Sequence, residues 1–310
     1  MGKPGLLLWS EGAQQLLGDA LSDEFEIIRL WQAQDSDAVL RGRGKEIIAT
    51  LTSELDSAVL DRLPNLRLVA VPGAGYEKID VALLRARGIR IANAGDAHSS
   101  DVADHAVALA IASIQRLTEM HAWVLEGSWS RNGTPPRRHG MSAQRFGIVG
   151  LGNIGTAIAK RLVPFGAEIA WWSRQHRPAP WPRRDSLLDL ARWCTTLIIA
   201  TRGDALKLID ANIISAVGPD GLIVNIARGG VLDEEALIAA LKQGQLGRAA
   251  LDVFTQEPTP PERWREVPNV ILSPHVAGVS HESIDRLRDA AILNIRSALH
   301  GGPVAHEVSE

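Results

Sequence analysis

Between residues 145 and 280 the chain repeats one pattern, a short apolar run followed by a stretch with apolar residues at helical spacing. Phe146–Val149, Glu168–Trp172, Thr196–Ala200, Leu222–Ile226, Arg248–Val253 and Val270–Leu272 are predicted strands, and Thr156–Phe165, Leu187–Trp193 and Glu234–Lys242 predicted helices. Alternating strands and helices imply parallel pairing, so this region reads as a doubly wound sheet. Residues 1–95 repeat the alternation more faintly. Leu6–Trp9, Ile47–Thr50, Leu68–Val71 and Ile89–Ala92 are predicted strands, and Ser57–Leu63 and Val81–Arg87 predicted helices, the second stopped by Gly88.

A helix is expected from about Asp101, with Asp101 as its cap and Asp104 in the first turn. The stretch Gly127–Gly140, with Trp129, Pro135, Pro136, Arg137, Arg138 and His139, is expected to be an exposed, irregular connection. A final helix, Ser283–His300, carries Ile284, Leu287, Ala291, Ile295 and Leu299 on one face and is expected to return to the first domain. The predicted division is therefore discontinuous: 1–97 with 283–310, and 98–282 between them.

Composition narrows the class of partner. With 33 Lys and Arg against 36 Asp and Glu, the net charge of −3 offers no basic footprint for nucleic acid. No apolar run approaches the roughly 20 residues of a membrane span. Cys194 is the only cysteine, so no intramolecular disulfide can form. With no targeting signal read at either end, a cytoplasmic setting and a small-molecule partner are the expectations. Cys194 itself reads as an apolar filler.

Gly150-Leu151-Gly152-Asn153-Ile154-Gly155 is a GxGxxG string placed after a predicted strand and opening a predicted helix. That is the context a dinucleotide-binding loop requires: glycines for a tight turn, for backbone approach to a pyrophosphate and for close helix–strand packing, with helix N–H groups facing the anion. A glycine turn selected only for packing is the bland alternative. About 20 residues beyond such a loop, an acid usually binds the ribose 2′-hydroxyl. Here the sequence is Trp171-Trp172-Ser173-Arg174, with no carboxylate, while Ser173 and Arg174, followed by Arg177, suit a 2′-phosphate. NADPH is therefore predicted over NADH.

Three more segments follow predicted strands: Ala227-Arg228-Gly229-Gly230, Thr255-Gln256-Glu257-Pro258 and Ser273-Pro274-His275-Val276-Ala277-Gly278. Ligands of open α/β sheets bind beyond the carboxyl ends of strands, so Arg228, Glu257 and His275 are expected to converge on the cofactor crevice. The residue types suit reduction of a 2-keto acid. A protonated His275 can give its proton to the carbonyl oxygen as charge develops there, and a carboxylate at Glu257 would favour the charged imidazole. Arg228 offers a planar fork for a substrate carboxylate. Taken singly, each has an ordinary structural explanation; their arrangement at successive strand ends is what points to catalysis.

These segments, with Gly88-Ile89 through Asn93, Asp101-Val102-Ala103-Asp104-His105, Asn225 through Gly230 and Leu251-Asp252-Val253-Phe254, resemble the D-isomer-specific 2-hydroxyacid dehydrogenases through nearly the whole chain. Within that family, Trp172-Ser173-Arg174 and Gln256-Glu257-Pro258-Thr259-Pro260-Pro261 are most similar to NADPH-preferring glyoxylate/hydroxypyruvate reductases and to hydroxyphenylpyruvate reductases. The resemblance implies a flavodoxin-like substrate domain and a Rossmann dinucleotide domain with a cleft between them. It also implies a homodimer formed through the segment of about 101–140. Arg228, Glu257 and His275 take the family's catalytic positions, and Asp252 the position near the nicotinamide carboxamide. Thr201, Ala227 and Gly278 fall beside the cofactor, and Ala74-Gly75 in the loop whose N–H groups hold the substrate carboxylate. Trp129 matches a tryptophan that in some members reaches a neighbouring subunit's site.

Two departures stand out. Thr201-Arg202-Gly203-Asp204-Ala205 replaces the usual Leu-Thr-Pro-x-Thr loop and reads as shortened, and Val71-Pro72-Gly73-Ala74-Gly75-Tyr76-Glu77 matches no single substrate. The expected activity is NADPH-dependent reduction of glyoxylate or hydroxypyruvate to the D-2-hydroxy acid, with no metal. The alternatives are a hydroxyphenylpyruvate reductase and a non-catalytic nucleotide sensor on the same scaffold.

Overall fold

The computed structural model describes residues 2–203 and 205–308, so Asp204 of the loop singled out above, and Ser309 and Glu310 at the end of the first predicted domain, lie outside the described residues. The chain forms two compact units. One runs to His98 and resumes at Val279; the other is Ser99–Gly278. Both are α/β units built on parallel sheets.

In the first unit the strands are β1 (Gly5–Leu8), β2 (Glu26–Arg29), β3 (Ile47–Leu51), β4 (Glu54–Leu55), β5 (Leu68–Ala70), β6 (Lys78–Ile79) and β7 (Arg90–Ala92). Five make a sheet in the order β2-β1-β3-β5-β7, while β4 and β6 pair with each other. Side chains alternate across a strand, so Leu7, Val69 and Ile91 enter one core and Leu6, Leu8, Ala49, Leu51 and Leu68 the other. The helix His281–His300 lays Ala291, Ile295 and Ala298 on the second core. It starts at a reciprocal cap in which Ser280 and Ser283 each accept the other's backbone N–H at 2.9 Å. It stops at Gly301, which takes the left-handed conformation at φ 68°. The chain then returns along the sheet edge, where Glu307 bridges Ala92 and holds the Arg90 guanidinium at 2.9 and 3.0 Å.

The second unit carries β8 (Arg145–Val149), β9 (Glu168–Trp172), β10 (Thr196–Ile199), β11 (Leu222–Asn225), β12 (Arg248–Leu251) and β13 (Val270–Leu272), ordered β13-β12-β11-β10-β8-β9. The order reverses at β8, which puts the topological switch between β8 and β10. The helices Ser99–Ile114 and Asn153–Leu162 share one face with Phe146 and Ile148; Ile158 and Leu162 are fully buried there, worth about 2 kcal/mol each. The other face holds Leu187, Leu190, Ile213, Ile214, Leu237 and Leu241. Cys194 sits in that core, 4% exposed, and burial pushes its thiol up to about 12, which keeps it an unreactive filler. No helix among the described residues is long and apolar enough to cross a membrane.

Several elements depart from the sequence reading. β2 and the helices Glu11–Leu17, Ser36–Arg43 and Ala211–Val217 were not legible, and the helix expected from Asp101 starts at Ser99. The connection expected to be irregular contains the helix Ser128–Asn132, preceded by Leu117–Leu125. Leu117–Leu125 buries none of its residues within the chain, and Leu117, Val124 and Leu125 stand more than half exposed on it.

Candidate active site

The glycine string is the turn from β8 into the helix Asn153–Leu162, so the helix starts three residues earlier than Thr156, inside the string itself. The three glycines differ in what they do. Gly150 has φ 91°, and a Cβ there would lie 2.7 Å from the Ala200 carbonyl oxygen and 2.8 Å from the Thr201 Cα. A Cβ on Gly155 would strike the Gly150 oxygen at 2.0 Å, so that position is a close helix–strand contact. Around Gly152 a Cβ would meet nothing within 4 Å. The fold does not need glycine there, whereas a ligand lying on the turn would. Gly152 caps the helix without any side-chain hydrogen bond, which leaves the first-turn N–H groups of Asn153, Ile154 and Gly155 available to an anion. The cradle fits a dinucleotide pyrophosphate, and it stands at the switch point with Thr201 against it.

At the end of β9, Ser173 donates its hydroxyl to the Gln175 carbonyl, and the Ser173 carbonyl accepts from Arg183 at 3.0 Å. Arg177, two residues past that turn, donates to the Leu151 carbonyl at 2.9 Å, so a guanidinium borders the glycine string. Arg174 follows Ser173 on the exposed side of the same turn. Trp171 packs beneath this loop at 1% exposure and donates its indole N–H to the Trp181 carbonyl at 3.0 Å.

β11, β12 and β13 are adjacent, and Asn225, Leu251 and Leu272 stand in register near their carboxyl ends. Each strand leads into a loop with one candidate residue, and each loop is anchored by a buried polar side chain. Asn225 is fully buried; it accepts from the Ala227 N–H and donates to the Arg228 carbonyl, both at 3.1 Å. That closes the turn on which Arg228 stands, with Arg228 Nη1 on the Ala227 carbonyl at 2.8 Å. A Cβ on Gly229 would sit 1.9 Å from the Phe254 carbonyl carbon, so only glycine lets the Arg228 turn press against the loop after β12. Glu234, 5% exposed, accepts from the Thr255 N–H and from Arg263 at 3.2 Å, fixing that second loop.

The second loop delivers Glu257, whose Oε1 accepts the Phe254 N–H at 2.9 Å while Oε2 meets His275 Nδ1 at 2.7 Å. His275 takes φ 53°, a left-handed conformation that costs a β-carbon residue of order 1 kcal/mol. Asp252 is at the centre of the third loop. Its carbonyl accepts the His275 N–H at 2.8 Å, and its carboxylate accepts Ser273 Oγ at 2.6 Å, the Val276 N–H at 3.0 Å and the Ala277 N–H at 2.9 Å. Burial pushes this carboxyl up, but the donors from His105, Ser273, Ala277 and Val276 outweigh it and hold it below its ordinary value.

The structure thus gathers Arg228, Glu257 and His275 on neighbouring loops, with His275 and Glu257 in contact, and puts Ala227 and Gly278 on the same loops. Ala74 and Gly75 belong to the first unit, in a half-buried loop braced by Asn93, which donates to the Ala74 carbonyl at 3.1 Å. Trp129 stands 62% exposed on its short helix. Sequence reasoning missed the anchors. Asn225 closes an apolar run and Glu234 opens a helix, so both pass for ordinary boundary residues; His105 was visible only as part of a family stretch.

The loop, the switch point and the three anchored strand ends define a nucleotide-dependent oxidoreductase. Residues 107–277 match the family described as D-isomer specific 2-hydroxyacid dehydrogenase, NAD binding domain. Glyoxylate/hydroxypyruvate reductase A of Arabidopsis thaliana is 34% identical over 92% of this chain and 93% of its own length. Hydroxyphenylpyruvate reductase of Plectranthus scutellarioides is 32% identical over 93% and 94%. A crystal structure of an NADPH-dependent glyoxylate/hydroxypyruvate reductase from Sinorhizobium meliloti superposes with TM-score 0.89 at 32% identity, covering 99% of this chain and 98% of that one. The chain belongs to the D-isomer specific 2-hydroxyacid dehydrogenases, oxidoreductases that use a nicotinamide dinucleotide.

Proposed function

We propose that the protein reduces a small 2-keto acid, glyoxylate or hydroxypyruvate first among candidates, to the D-2-hydroxy acid with NADPH. The observation that carries this reading is the 2.7 Å contact between His275 Nδ1 and Glu257, on a loop beside the Arg228 turn. With Nδ1 engaged by a carboxylate, Nε2 is the nitrogen turned to the substrate as proton donor. The bound cofactor supplies the hydride for the keto carbon. As that carbon is reduced, His275 Nε2 gives its proton to the carbonyl oxygen, Glu257 stabilises the imidazolium and then the tautomer that remains, and Arg228 holds the substrate carboxylate and the polarised oxygen. In the first unit, the N–H groups of Ala74 and Gly75 are the candidates for holding a carboxylate. Gly150, Gly152 and Gly155 with Asn153 and Ile154 cradle the pyrophosphate, and Asp252 sets the loop beside the nicotinamide.

The preference for NADPH rests on the missing acid after β9, on Arg174 in the turn that follows it, and on Arg177, which borders the glycine string. Two relatives with the same overall extent bear different substrate names, so a panel of glyoxylate, hydroxypyruvate and hydroxyphenylpyruvate ranked by kcat/KM with each cofactor tests the reading directly. A higher kcat/KM for hydroxyphenylpyruvate would move the assignment to that substrate, and cofactor binding without turnover of any keto acid would make the protein a nucleotide sensor. Leu117, Val124, Leu125 and Trp129 are all more than half exposed and support a homodimer through the segment of about 101–140. Sedimentation equilibrium at a monomeric mass would exclude it.

A further inference from the structure

We propose that His105 and Ser273 are positioning residues that set the aim of His275, acting through the buried carboxylate of Asp252. The inference rests on the reading of His275 as the proton donor. All the groups involved lie within the second unit.

The His275 turn is built around Asp252. The strained backbone at His275 is held by its own N–H on the Asp252 carbonyl, and the next two N–H groups, of Val276 and Ala277, converge on the Asp252 carboxylate. The orientation of that carboxylate therefore decides where the turn sits. Its side chain is 1% exposed, so its oxygens are shielded from bulk solvent. Two side-chain donors approach it. Ser273 Oγ lies 2.6 Å from Oδ1, and His105 Nε2, from the helix Ser99–Ile114, lies 2.9 Å from Ser273 Oγ and 3.5 Å from the same Oδ1.

A hydroxyl has one proton, and Ser273 gives it to the carboxylate, which can only accept. The contact between His105 and Ser273 must then carry its hydrogen on Nε2, which fixes the His105 ring as a donor at that nitrogen. The result is a set of donors converging on one residue: His105 Nε2–H gives to Ser273 Oγ, Ser273 O–H gives to the Asp252 carboxylate, and the three N–H groups that shape the His275 turn give to the Asp252 carbonyl and carboxylate. This arrangement ties the rigid helix Ser99–Ile114 to the loop with the reacting imidazole. Neither His105 nor Ser273 has to touch substrate or cofactor to matter.

The test measures kcat and KM for His105→Leu, Ser273→Ala, His105→Gln and Ser273→Thr, each in the wild-type and in the His275→Ala background, with thermal melts to establish folding. His105→Leu and Ser273→Ala should each lower kcat about tenfold while KM for NADPH stays within about twofold, because one hydrogen bond in the chain is lost and the cofactor cradle is untouched. Ser273→Thr and His105→Gln keep a donor and should recover most of the loss. In the His275→Ala background, measured on the residual rate, the same changes should have no further effect, since there is no imidazole left to aim. Unchanged kcat in both single variants, failure of Ser273→Thr to recover the rate of Ser273→Ala, or full additivity with His275→Ala overturns the proposal. If His275→Ala alone keeps wild-type kcat, the proton-donor reading falls and the positioning role with it. If His275→Ala is impaired and the other variants behave as wild type, only the positioning role falls.

Discussion

The loops after β11, β12 and β13 and the loop after β9 serve the same sheet, yet they are fastened differently. Each of the first three is anchored by a polar side chain no more than 5% exposed: Asn225, Glu234 and Asp252. The loop after β9 lies over the buried Trp171, whose indole N–H reaches the Trp181 carbonyl, but its polar side chains Ser173, Arg183 and Arg177 are half-buried or exposed, with Ser173 on the Gln175 carbonyl, Arg183 on the Ser173 carbonyl and Arg177 on the Leu151 carbonyl. Buried hydrogen bonds are costly to break because the abandoned group has no water to turn to, whereas exposed ones exchange with solvent. Substitutions around the first three loops should therefore damage rate or folding, and substitutions in the β9 loop should alter cofactor choice with little effect on stability.

The largest expected effect is on the reacting loop itself. His275→Ala should lower kcat by 10² to 10⁴, the usual range for a positioned proton donor, with the Kd for NADPH unchanged by fluorescence titration. A kcat within threefold of wild type would remove the catalytic reading of all three loops.

The glycines sharpen the contrast between fold and site. Gly229→Ala puts a methyl 1.9 Å from the Phe254 backbone, with no flexible side chain to yield, and should lower stability by roughly 2–3 kcal/mol in urea unfolding. Gly152→Ala meets open space, so its unfolding midpoint should match wild type while NADPH binding weakens at least tenfold. Should Gly152→Ala bind NADPH normally, the cradle would be a packing turn only.

The β9 loop is the place to test the other half of the comparison. The double change Arg174→Ala with Arg177→Ala should lower kcat/KM for NADPH about tenfold, leave that for NADH within about twofold and leave the melting temperature nearly unchanged. Equal losses with both cofactors would mean that these cations do not read the 2′-phosphate.

How much of this was legible in the sequence follows from where each residue is buried. β9, with Ile169, Ala170 and Trp171 buried, and the helices Leu187–Trp193 and Glu234–Lys242 have the extents predicted for them, as does β13, an edge strand whose three apolar residues still form a run although Leu272 is exposed. β2, at a sheet edge, has Ile28 as its one buried residue and charged ends, which leaves no run to detect. In the site, Arg228, Glu257 and His275 were legible because they stand at strand ends and carry unusual chemistry for a turn. The anchors were not, because the tertiary fold turns an asparagine, a glutamate and an aspartate inward at positions where sequence favours solvent. Asp252, which the resemblance implied only as a position beside the nicotinamide, is the hub of the His275 turn.

The smallest expected effect isolates that hub. The Asp252 carboxyl titrates below its unfolded value near 3.9, so its contribution to stability is complete above about pH 4 and is lost as pH falls through the folded value. Asp252→Asn replaces one accepting oxygen by an NH₂ that must face the Ser273 hydroxyl or a backbone N–H, and it removes the titration. The urea midpoint of wild type should therefore exceed that of Asp252→Asn at pH 7, and the gap should narrow as the pH is lowered from 4 toward 3. A gap that stays constant from pH 7 to pH 3 would mean that the ionised carboxylate is not what holds the loop, and the distinction between deeply anchored and surface-fastened loops would then rest on Asn225 and Glu234 alone.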